Sequence, residues 1–437
     1  MSNLDHQTLK LSAQQQTIRE LSDRIVVAQR PIQILDAVKW GPEIKQEFFK
    51  NKCKELPKID ASYYQNRPLA YDIHDKKTEF QGIERDINRL LGQFSGVGSI
   101  MLRMCQEYRQ ALRMIKARGS DDFTSISIDL YGSSEDAFYP GAPLLNDLAV
   151  LLSDTLSNLN QNLVSEMDEK RYTSHEAAEI LRQRFSEYFK GRAQEVVVEQ
   201  SDDIIADAAA GADRVKIRTD AMFSERDIRL LEVHEGWVHV GTSLNGAMQP
   251  ICTFLGKGAP SSVITQEGLS VITEIMTFSS YPRRVLRITN RIRAINMAEN
   301  GANFLEVFHY FCECGISEED SYGHTLRIFR GSTPEGGPFT KDLAYAKGFI
   351  IIYNYMRLAV QKGLVHHISA LFVGKVRIED LHLLYELIAE GTVIAPQYVP
   401  PQFKDLAALS SWMCFSLFLN QLDLKKLSEN YRHILPT

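Results

Sequence analysis

The stretch LLEVHEGWVHVGTSLNG, residues 230–246, brings two histidines and a glutamate close together in sequence. His234 and Glu235 are adjacent, and His239 follows Glu235 after three intervening residues. On a regular α-helix, residues five apart point about 140° away from each other, so two such histidines would not share one ion. A single π-type widening adds one residue to a turn and brings both histidines to the same side. The spacing therefore predicts a locally widened helix, with Gly236 inside the loosened turn.

The same geometry favours a metal site. A hydrolytic zinc ion takes three protein ligands and needs a base beside its open position. His234 and His239 would supply two nitrogens, and Glu235 projects where the base is needed. The segment TQEGLS offers Glu267, at the expected start of the next helix, as the third ligand. Two simpler interpretations stay open at this point: the histidines are ordinary polar residues of an amphipathic helix, and Glu267 is an N-terminal acid that complements a helix dipole.

Composition sets the limits of the function. The 437 residues suffice for two or three domains, or for one large domain with an added lobe. The net charge of −6 gives no reason to expect a nucleic-acid partner. The polar N-terminus lacks a signal core, and no apolar run is long enough to span a bilayer. Six scattered cysteines favour reduced thiols. We therefore expect a cytoplasmic protein without a membrane partner, and the oligomeric state stays open.

Hydrophobic periodicity predicts an α+β fold that is predominantly helical, with a small sheet. We expect an N-terminal helical region over residues 1–118 and a catalytic domain over 119–437 that includes the C-terminal helices. Ser224 is the expected N-cap of the motif helix, with Asp227 as a weak capping-box partner. The other predicted elements are a strand in SISIDLY (125–131), helices at 144–163 and 174–189, and strands at 195–199 and 214–218 with a short helix between them.

The combined motifs resemble a known family. HEGWVHVGTSLNGAMQP followed by TQEGLS is similar to the QEGLA-motif (flavohaemoglobin expression-modulating) proteins of bacteria and to the eukaryotic tubulin tyrosine and glutamate carboxypeptidases. Similar blocks are IQILDAVKWGPEIKQEFF upstream, and RIFRGSTPEGGPFTKDLAYAKG and LFVGKVRIEDLHLLYELIAEGTVIAPQYVPP downstream. The likeness covers roughly residues 30 to 403. The histidine spacing also resembles that of dipeptidyl peptidase III.

The resemblance implies a metallopeptidase-like catalytic domain with one Zn²⁺ per chain. The implied ligands are His234, His239 and Glu267, and the implied base is Glu235. The implied activity is that of a metallocarboxypeptidase, which removes C-terminal residues from a peptide or protein by Glu-assisted attack of zinc-bound water. Two alternatives stay open, an amidase acting on a small peptide and a zinc-binding regulator without peptidase activity. An intact Glu235 argues against the regulator, because a structural zinc site needs no base.

Further candidates follow from what a carboxypeptidase needs. Tyr345 is a candidate donor to the developing oxyanion, or else a core tyrosine. Arg327, Arg330 and Lys341 are candidate anchors for the substrate carboxylate, because arginine binds a carboxylate with two parallel hydrogen bonds. The alternative for these cations is an ordinary ion pair to Glu335 or Asp342. Asn245 and Gln249 would hold either substrate backbone or their own loop.

Two surfaces are candidates for contacting substrate. Arg283, Arg287 and Arg291 share a helical stripe that would suit an acidic tail, although a solvated or salt-bridged face is the simpler interpretation. The strand at 214–218 would pair with substrate backbone if it lies at the edge of the sheet.

Overall fold

Helices dominate the structure, a computed structural model that describes residues 11–92, 95–157, 168–191 and 195–431. The described residues are 65% helical and 5% strand, which confirms the predicted predominantly helical α+β class. Within the described residues, no helix is long and apolar enough to cross a membrane. The first helices are α1 (Ala13–Gln29), α2 (Ile34–Ala37), α3 (Pro42–Lys50), α4 (Ala61–Gln65), α5 (Ile73–Leu91), α6 (Gly96–Lys116) and α7 (Asp121–Tyr131).

The segment SISIDLY was predicted as a strand, and this prediction is wrong because the segment lies in α7. Its alternating residues imitate a strand, but Phe123, Ile126 and Leu130 recur at helical spacing and are all buried. Burial of that helical face decided the structure.

The middle of the chain carries the strands. Its elements are α8 (Leu145–Ser157), β1 (Tyr172–Thr173), α9 (Ser174–Tyr188), β2 (Val197–Ser201), β3 (Ala208–Ala210), β4 (Arg214–Arg218), β5 (Met222–Phe223) and α10 (Glu225–Leu231). The expected end of the first of these helices, residues 158–163, lies outside the described residues. Ser224 and Asp227 form the predicted capping box at the start of α10.

The larger sheet has the order β2-β4-β3, with β4 parallel to β2 and antiparallel to β3. Two predictions are corrected here. The segment between β2 and β4 contributes the strand β3 where a short helix was expected. The strand β4, predicted as an edge for substrate, is the central strand, so both its sides are already paired. The edge that faces the motif helix belongs to β3.

The C-terminal half is helical and contains most of the packing around the motif. Its helices are α11 (Gly241–Ala247), α12 (Ser262–Met276), α13 (Pro282–Glu299), α14 (Phe304–Glu313), α15 (Glu318–Phe329), α16 (Ala344–Gln361), α17 (Leu381–Ala389), α18 (Pro401–Lys404), α19 (Leu406–Leu419) and α20 (Leu424–Tyr431). The largest apolar cluster joins α1, α5 and α6 to α12, α16 and residues beyond 368. The predicted division at residue 118 stays a prediction.

Helices α12 and α16 approach each other closely through two glycines. A Cβ atom on Gly268 would lie 2.1 Å from the carbonyl carbon of Gly348, and one on Gly348 would lie 1.9 Å from the carbonyl oxygen of Ile264. Neither distance is tolerable, so both positions require glycine. This contact fixes α12, and with it the adjacent Glu267, against the helix that carries Tyr345.

Candidate metal centre

The motif lies on a π-helix, Glu232–Val240, between α10 and α11. This confirms the predicted widening, and it brings the side chains of His234 and His239 together despite their five-residue spacing. Gly236 is required for a reason that the sequence did not show. A Cβ atom there would lie 2.1 Å from the ring of Phe185, so α9 packs directly against the backbone of the widened turn.

Three potential ligand atoms converge in this region. His234 Nε2 lies 3.2 Å from His239 Nε2 and 3.2 Å from Glu267 Oε2, and His239 Nε2 lies 3.5 Å from that oxygen. Ligand atoms about 2.0–2.1 Å from a tetrahedral zinc ion lie about 3.3 Å from one another. The spacing of these three atoms therefore fits a tetrahedral ion of that size.

The oxygen of Glu267 that faces the histidines is buried and has no hydrogen-bond partner among the described residues. A buried acceptor without a partner is costly unless a cation or donor completes it. Burial opposes protonation of His234, but Glu267 and Glu274 outweigh it and raise the pKa of the imidazole to about 10. The potential in this cluster is thus strongly negative, and a cation at its centre would relieve it.

Glu267 was predicted to begin its helix, and this prediction is wrong. Helix α12 begins at Ser262, so Glu267 lies in its second turn and is buried. The influence of a helix dipole falls off within the first turn, so dipole compensation does not account for this residue.

Glu274 and Arg284 support the first histidine. His234 Nδ1 lies 2.6 Å from Glu274 Oε1, and Arg284 donates two hydrogen bonds of 2.9 and 3.0 Å to the same carboxylate. Burial alone would raise the pKa of Glu274, but Arg284 and His234 lower it to about 2. When a cation occupies the site and displaces the second proton, an ionised Glu274 would hold the remaining proton on Nδ1, so that Nε2 offers its lone pair to the cation.

Sequence reasoning missed both supporting residues. Glu274 follows Glu267 by seven residues, two helical turns along the same face, and that spacing was an available signal. In α13 we had considered the stripe of Arg283, Arg287 and Arg291. The structure divides that stripe, because Arg283 is exposed while Arg291 is buried near Asp342. Arg287 lies 3.7 Å from Asp207.

Glu235 lies beside the ligand cluster. Its Oε1 is 4.0 Å from His234 Nε2, and its Oε2 accepts a hydrogen bond of 2.9 Å from the backbone N–H of Ala210. Strand β3, which was not predicted, therefore orients the candidate base and leaves one carboxylate oxygen directed at the histidines.

Lys375 joins the helices that carry the ligands. Its buried ammonium donates to the carbonyl oxygen of His239 at 2.9 Å, to Thr242 Oγ1 at 3.1 Å and to Gln266 Oε1 at 2.9 Å. Thr242 in turn donates to the amide oxygen of Gln266 at 2.8 Å. The network ties the end of the π-helix to the residue before Glu267. The signal in the sequence was a single lysine within the apolar run ALFVGKV.

A charged group, which we call the arginine region, comprises the buried Arg291 and Arg330, the half-buried Arg327 and Lys341, and the buried Asp342. Arg327 donates two hydrogen bonds, of 2.7 and 2.9 Å, to Asp342, and these neighbouring arginines hold the pKa of that carboxyl far below its usual range. The guanidinium of Arg327 is thus already paired with Asp342, which favours the ion-pair interpretation over the role of substrate anchor.

Arg330 and Lys341 differ from Arg327. The Arg330 side chain has no hydrogen-bond acceptor among the described residues, and its Nε is fully buried. Burial and the charge of Arg327 lower its pKa to about 10. Burial also lowers the pKa of Lys341, which has no ion-pair partner within the described chain. Both candidate anchors are therefore available to an external anion.

Tyr345 lies between the two charged groups. Its ring lies 6.1 Å from that of His234, and the guanidinium groups of Arg284 and Arg291 each lie 5.4 Å from its centre. Burial and Glu267 raise the pKa of its hydroxyl to about 12, so this hydroxyl keeps its proton. It has the position and protonation state of a hydrogen-bond donor to the site.

Asn245 and Gln249 hold loops. The Asn245 amide donates to the carbonyl oxygens of Phe372 and Tyr398, both at 2.7 Å, and accepts from two backbone N–H groups. Gln249 makes equivalent bonds to Val373 and Ile394. These contacts favour the loop-holding role of the two that the sequence left open.

Comparison with known proteins agrees with this geometry. No curated protein matches the chain closely enough to count as a relative. A family model does match, over residues 46–421, and its description is microtubule-associated tyrosine carboxypeptidase. The match covers most of the chain and includes every residue of the candidate centre and of the arginine region. The chain therefore belongs to the microtubule-associated tyrosine carboxypeptidase family, a family of peptidases.

Proposed function

We propose that the chain is a zinc-dependent carboxypeptidase, with His234, His239 and Glu267 as the metal ligands. The observation that carries the proposal is the trio of ligand atoms 3.2–3.5 Å apart around a buried carboxylate oxygen that lacks a partner. Zinc, when bound, polarises the scissile carbonyl and makes water a better nucleophile at neutral pH.

Glu235 is the proposed general base. It accepts a proton from the attacking water, whose oxygen bonds to the scissile carbonyl carbon, and it then delivers that proton to the leaving amine as the C–N bond breaks. The N–H of Ala210 holds one carboxylate oxygen, so the other is directed at the reacting atoms. Tyr345 donates its hydroxyl hydrogen to the carbonyl oxygen as negative charge develops there.

The arginine region is the proposed anchor for the terminal carboxylate of the substrate. The buried Arg330 lies over the ring of Phe339, and the half-buried Lys341 lies nearby in sequence. Neither side chain has a hydrogen-bond acceptor or an ion pair among the described residues, while Asp342 occupies Arg327. A substrate carboxylate between them would complete their hydrogen bonds, and the proposal then requires the scissile bond, one residue away, to lie at the metal centre. Strand β3 replaces β4 as the proposed edge for the preceding substrate backbone.

The substrate class is a peptide or protein C-terminus. The family description names tyrosine and microtubules, so the first substrate to test is a C-terminal tyrosine on an acidic tail. We infer no preference for that residue from the pocket itself.

The test combines metal content with product analysis. Purified protein should contain one zinc ion per chain, and peptides that vary only in their last residue should lose that residue singly. Glu235→Gln is the matched variant, because the amide keeps an acceptor for Ala210 while removing the base. We expect the variant to retain zinc and to lose about 10²–10⁴-fold in turnover.

Other outcomes would distinguish the alternatives. Internal fragments would indicate an endopeptidase, and cleavage of small amides but not of peptides would indicate an amidase. Stoichiometric zinc without hydrolysis of any peptide would favour the regulator. Zinc-free protein, or activity that survives Glu235→Gln, would overturn the mechanism.

A further inference from the structure

A cleft of about 480 Å³ lies between the start of α5 and the end of α6, in the N-terminal helical part of the chain. Its walls include Tyr64, Tyr71, Lys77, Lys116 and Arg118. None of the residues of the metal centre or the arginine region lines it, so it is a separate site. Clefts of about 300–1,000 Å³ are typical of small-molecule sites.

Positive charge dominates the walls of this cleft. Lys77 and Lys116 have no ion-pair partner within the described chain. Arg118 donates only to neutral backbone carbonyls, those of Ile115 at 2.8 Å and Ala37 at 2.6 Å. The lining also contains Arg67, which is paired with Glu43, and one acid, Asp72, whose side chain caps α5. Three cations are therefore left without a compensating carboxylate.

The cations are close enough to repel one another. Burial, followed by the charges of Lys116, Arg113 and Arg109, lowers the pKa of Lys77. Such repulsion costs folding free energy, and a bound anion would relieve it. The cluster thus resembles the arginine region in having excess positive charge, although it is more open to solvent.

One polar group beside the cations adds a hydrogen-bond donor, because the hydroxyl of Tyr71 is buried and has no partner among the described residues. The 19-residue helix α5 also begins at the cleft, at Ile73, but the Asp72 carboxylate caps it and already compensates its first turn. Lysine and arginine side chains with a hydroxyl donor on a concave surface are an arrangement that binds phosphate.

We propose that this cleft binds a small phosphate-bearing molecule, with Lys77, Lys116 and Arg118 contacting the phosphate. The ring of the half-buried Tyr71 would contact an organic group attached to the phosphate, whereas Tyr64 is buried and lies beneath the guanidinium of Arg118. The source of the phosphate is either free inorganic phosphate or a phosphate ester such as a nucleotide, and the two share the same recognition chemistry.

Calorimetric titration of the full chain tests the proposal, with inorganic phosphate and a nucleoside monophosphate as separate probes. The key variant is Lys77→Gln combined with Lys116→Gln. Its matched control is Arg85→Gln, which removes an exposed positive charge from the same helix outside the cleft. We expect saturable binding in the wild type and the control, and at least about tenfold weaker binding in the double variant.

Tighter binding of the monophosphate than of phosphate would identify an ester as the ligand, and equal binding would identify the free ion. Absence of saturable binding to both probes would overturn the proposal. Equal weakening in Arg85→Gln would also overturn it, because net charge alone would then explain the effect. If the double variant fails to fold, the exposed Lys116→Gln alone should show the same loss.

Discussion

The metal centre and the arginine region are neighbouring buried groups of opposite charge. In the first, the buried Glu267 oxygen accepts no hydrogen bond among the described residues and lies 3.2 and 3.5 Å from the two histidine nitrogens, and the surrounding carboxylates make the potential negative. In the second, Arg330 and Lys341 present donors without acceptors among the described residues, and the potential is positive. Tyr345 lies between them and contacts groups of both.

The contrast separates charges that are paired within the chain from charges that would be completed by a ligand. Arg284 with Glu274, and Arg327 with Asp342, are paired by two hydrogen bonds each, so they are complete within the chain. Glu267 and Arg330 are equally buried but incomplete. Buried charge without a partner is costly, so proteins retain it mainly where function requires it.

The largest effect should follow from removing a negative charge from the metal centre. Glu267→Gln removes the only anionic member of the ligand trio and keeps its shape. We expect zinc affinity to fall by more than the roughly 100-fold that loss of a supporting residue costs, and turnover to fall to the assay background. Chelator competition and peptide hydrolysis measure the two. The control is Glu313→Gln, at the exposed end of α14, and full zinc binding by Glu267→Gln would contradict the ligand assignment.

Removing one positive charge at a time from the arginine region should show that two arginines three residues apart in sequence have different roles. Arg330→Gln should raise KM about 10- to 100-fold while the protein stays folded, because a charge-assisted bond to substrate is lost. Arg327→Gln should instead lower the free energy of unfolding, by up to about 3 kcal/mol, because the buried Asp342 then keeps only its 3.7 Å contact with Arg291.

Peptides with an amidated C-terminus sharpen the same comparison. They lack the terminal carboxylate, so Arg330→Gln should not raise their KM further. Steady-state kinetics and urea denaturation of both variants provide the readouts. An Arg330→Gln enzyme with unchanged KM for the free carboxylate would show that the arginine region does not anchor substrate.

A smaller effect is expected for the support of the first histidine. Glu274→Gln keeps an acceptor near His234 Nδ1 but removes the charge that fixes its proton there. Loss of such a partner typically costs 10- to 100-fold in metal affinity. We expect a loss in that range, measured by chelator competition. Because the variant also removes the ion pair of Arg284 and should lower stability, the measurement is made well below the unfolding temperature. Wild-type affinity would show that Glu274 serves Arg284 alone.

The sequence predicted the centre better than its surroundings. If the two histidines share one ion, their five-residue spacing requires a π-type turn, and the structure has a π-helix there. The supports come from distant positions, namely Ala210 on β3, Lys375 before α17 and Glu274 two turns beyond Glu267. The sequence carried signals for Lys375 and Glu274, but no local pattern shows which residues they contact. The strand predicted in SISIDLY failed for the related reason that alternation and helical spacing coexist there, and only tertiary burial separates them.

The smallest effect concerns the pH dependence of stability that His324 produces beside the arginine region. Burial, followed by the charges of Arg291, Arg287 and Arg327, holds the pKa of His324 well below its usual value. The folded state therefore prefers neutral His324, and the unfolded state binds more protons below a pH of about 6.5. The stabilising contribution is fully present above that pH and is lost as the pH falls through it.

Replacing this histidine isolates the effect from those of other titrating groups. The difference in unfolding free energy between wild type and His324→Gln should be constant above pH 7. Below about pH 6.5 the wild type should lose unfolding free energy relative to the variant, by at most about 1.4 kcal/mol per pH unit. Urea denaturation from pH 5 to 8 gives the measurement. A difference that does not vary with pH would mean that neither burial nor the neighbouring arginines disfavour the charged form of His324.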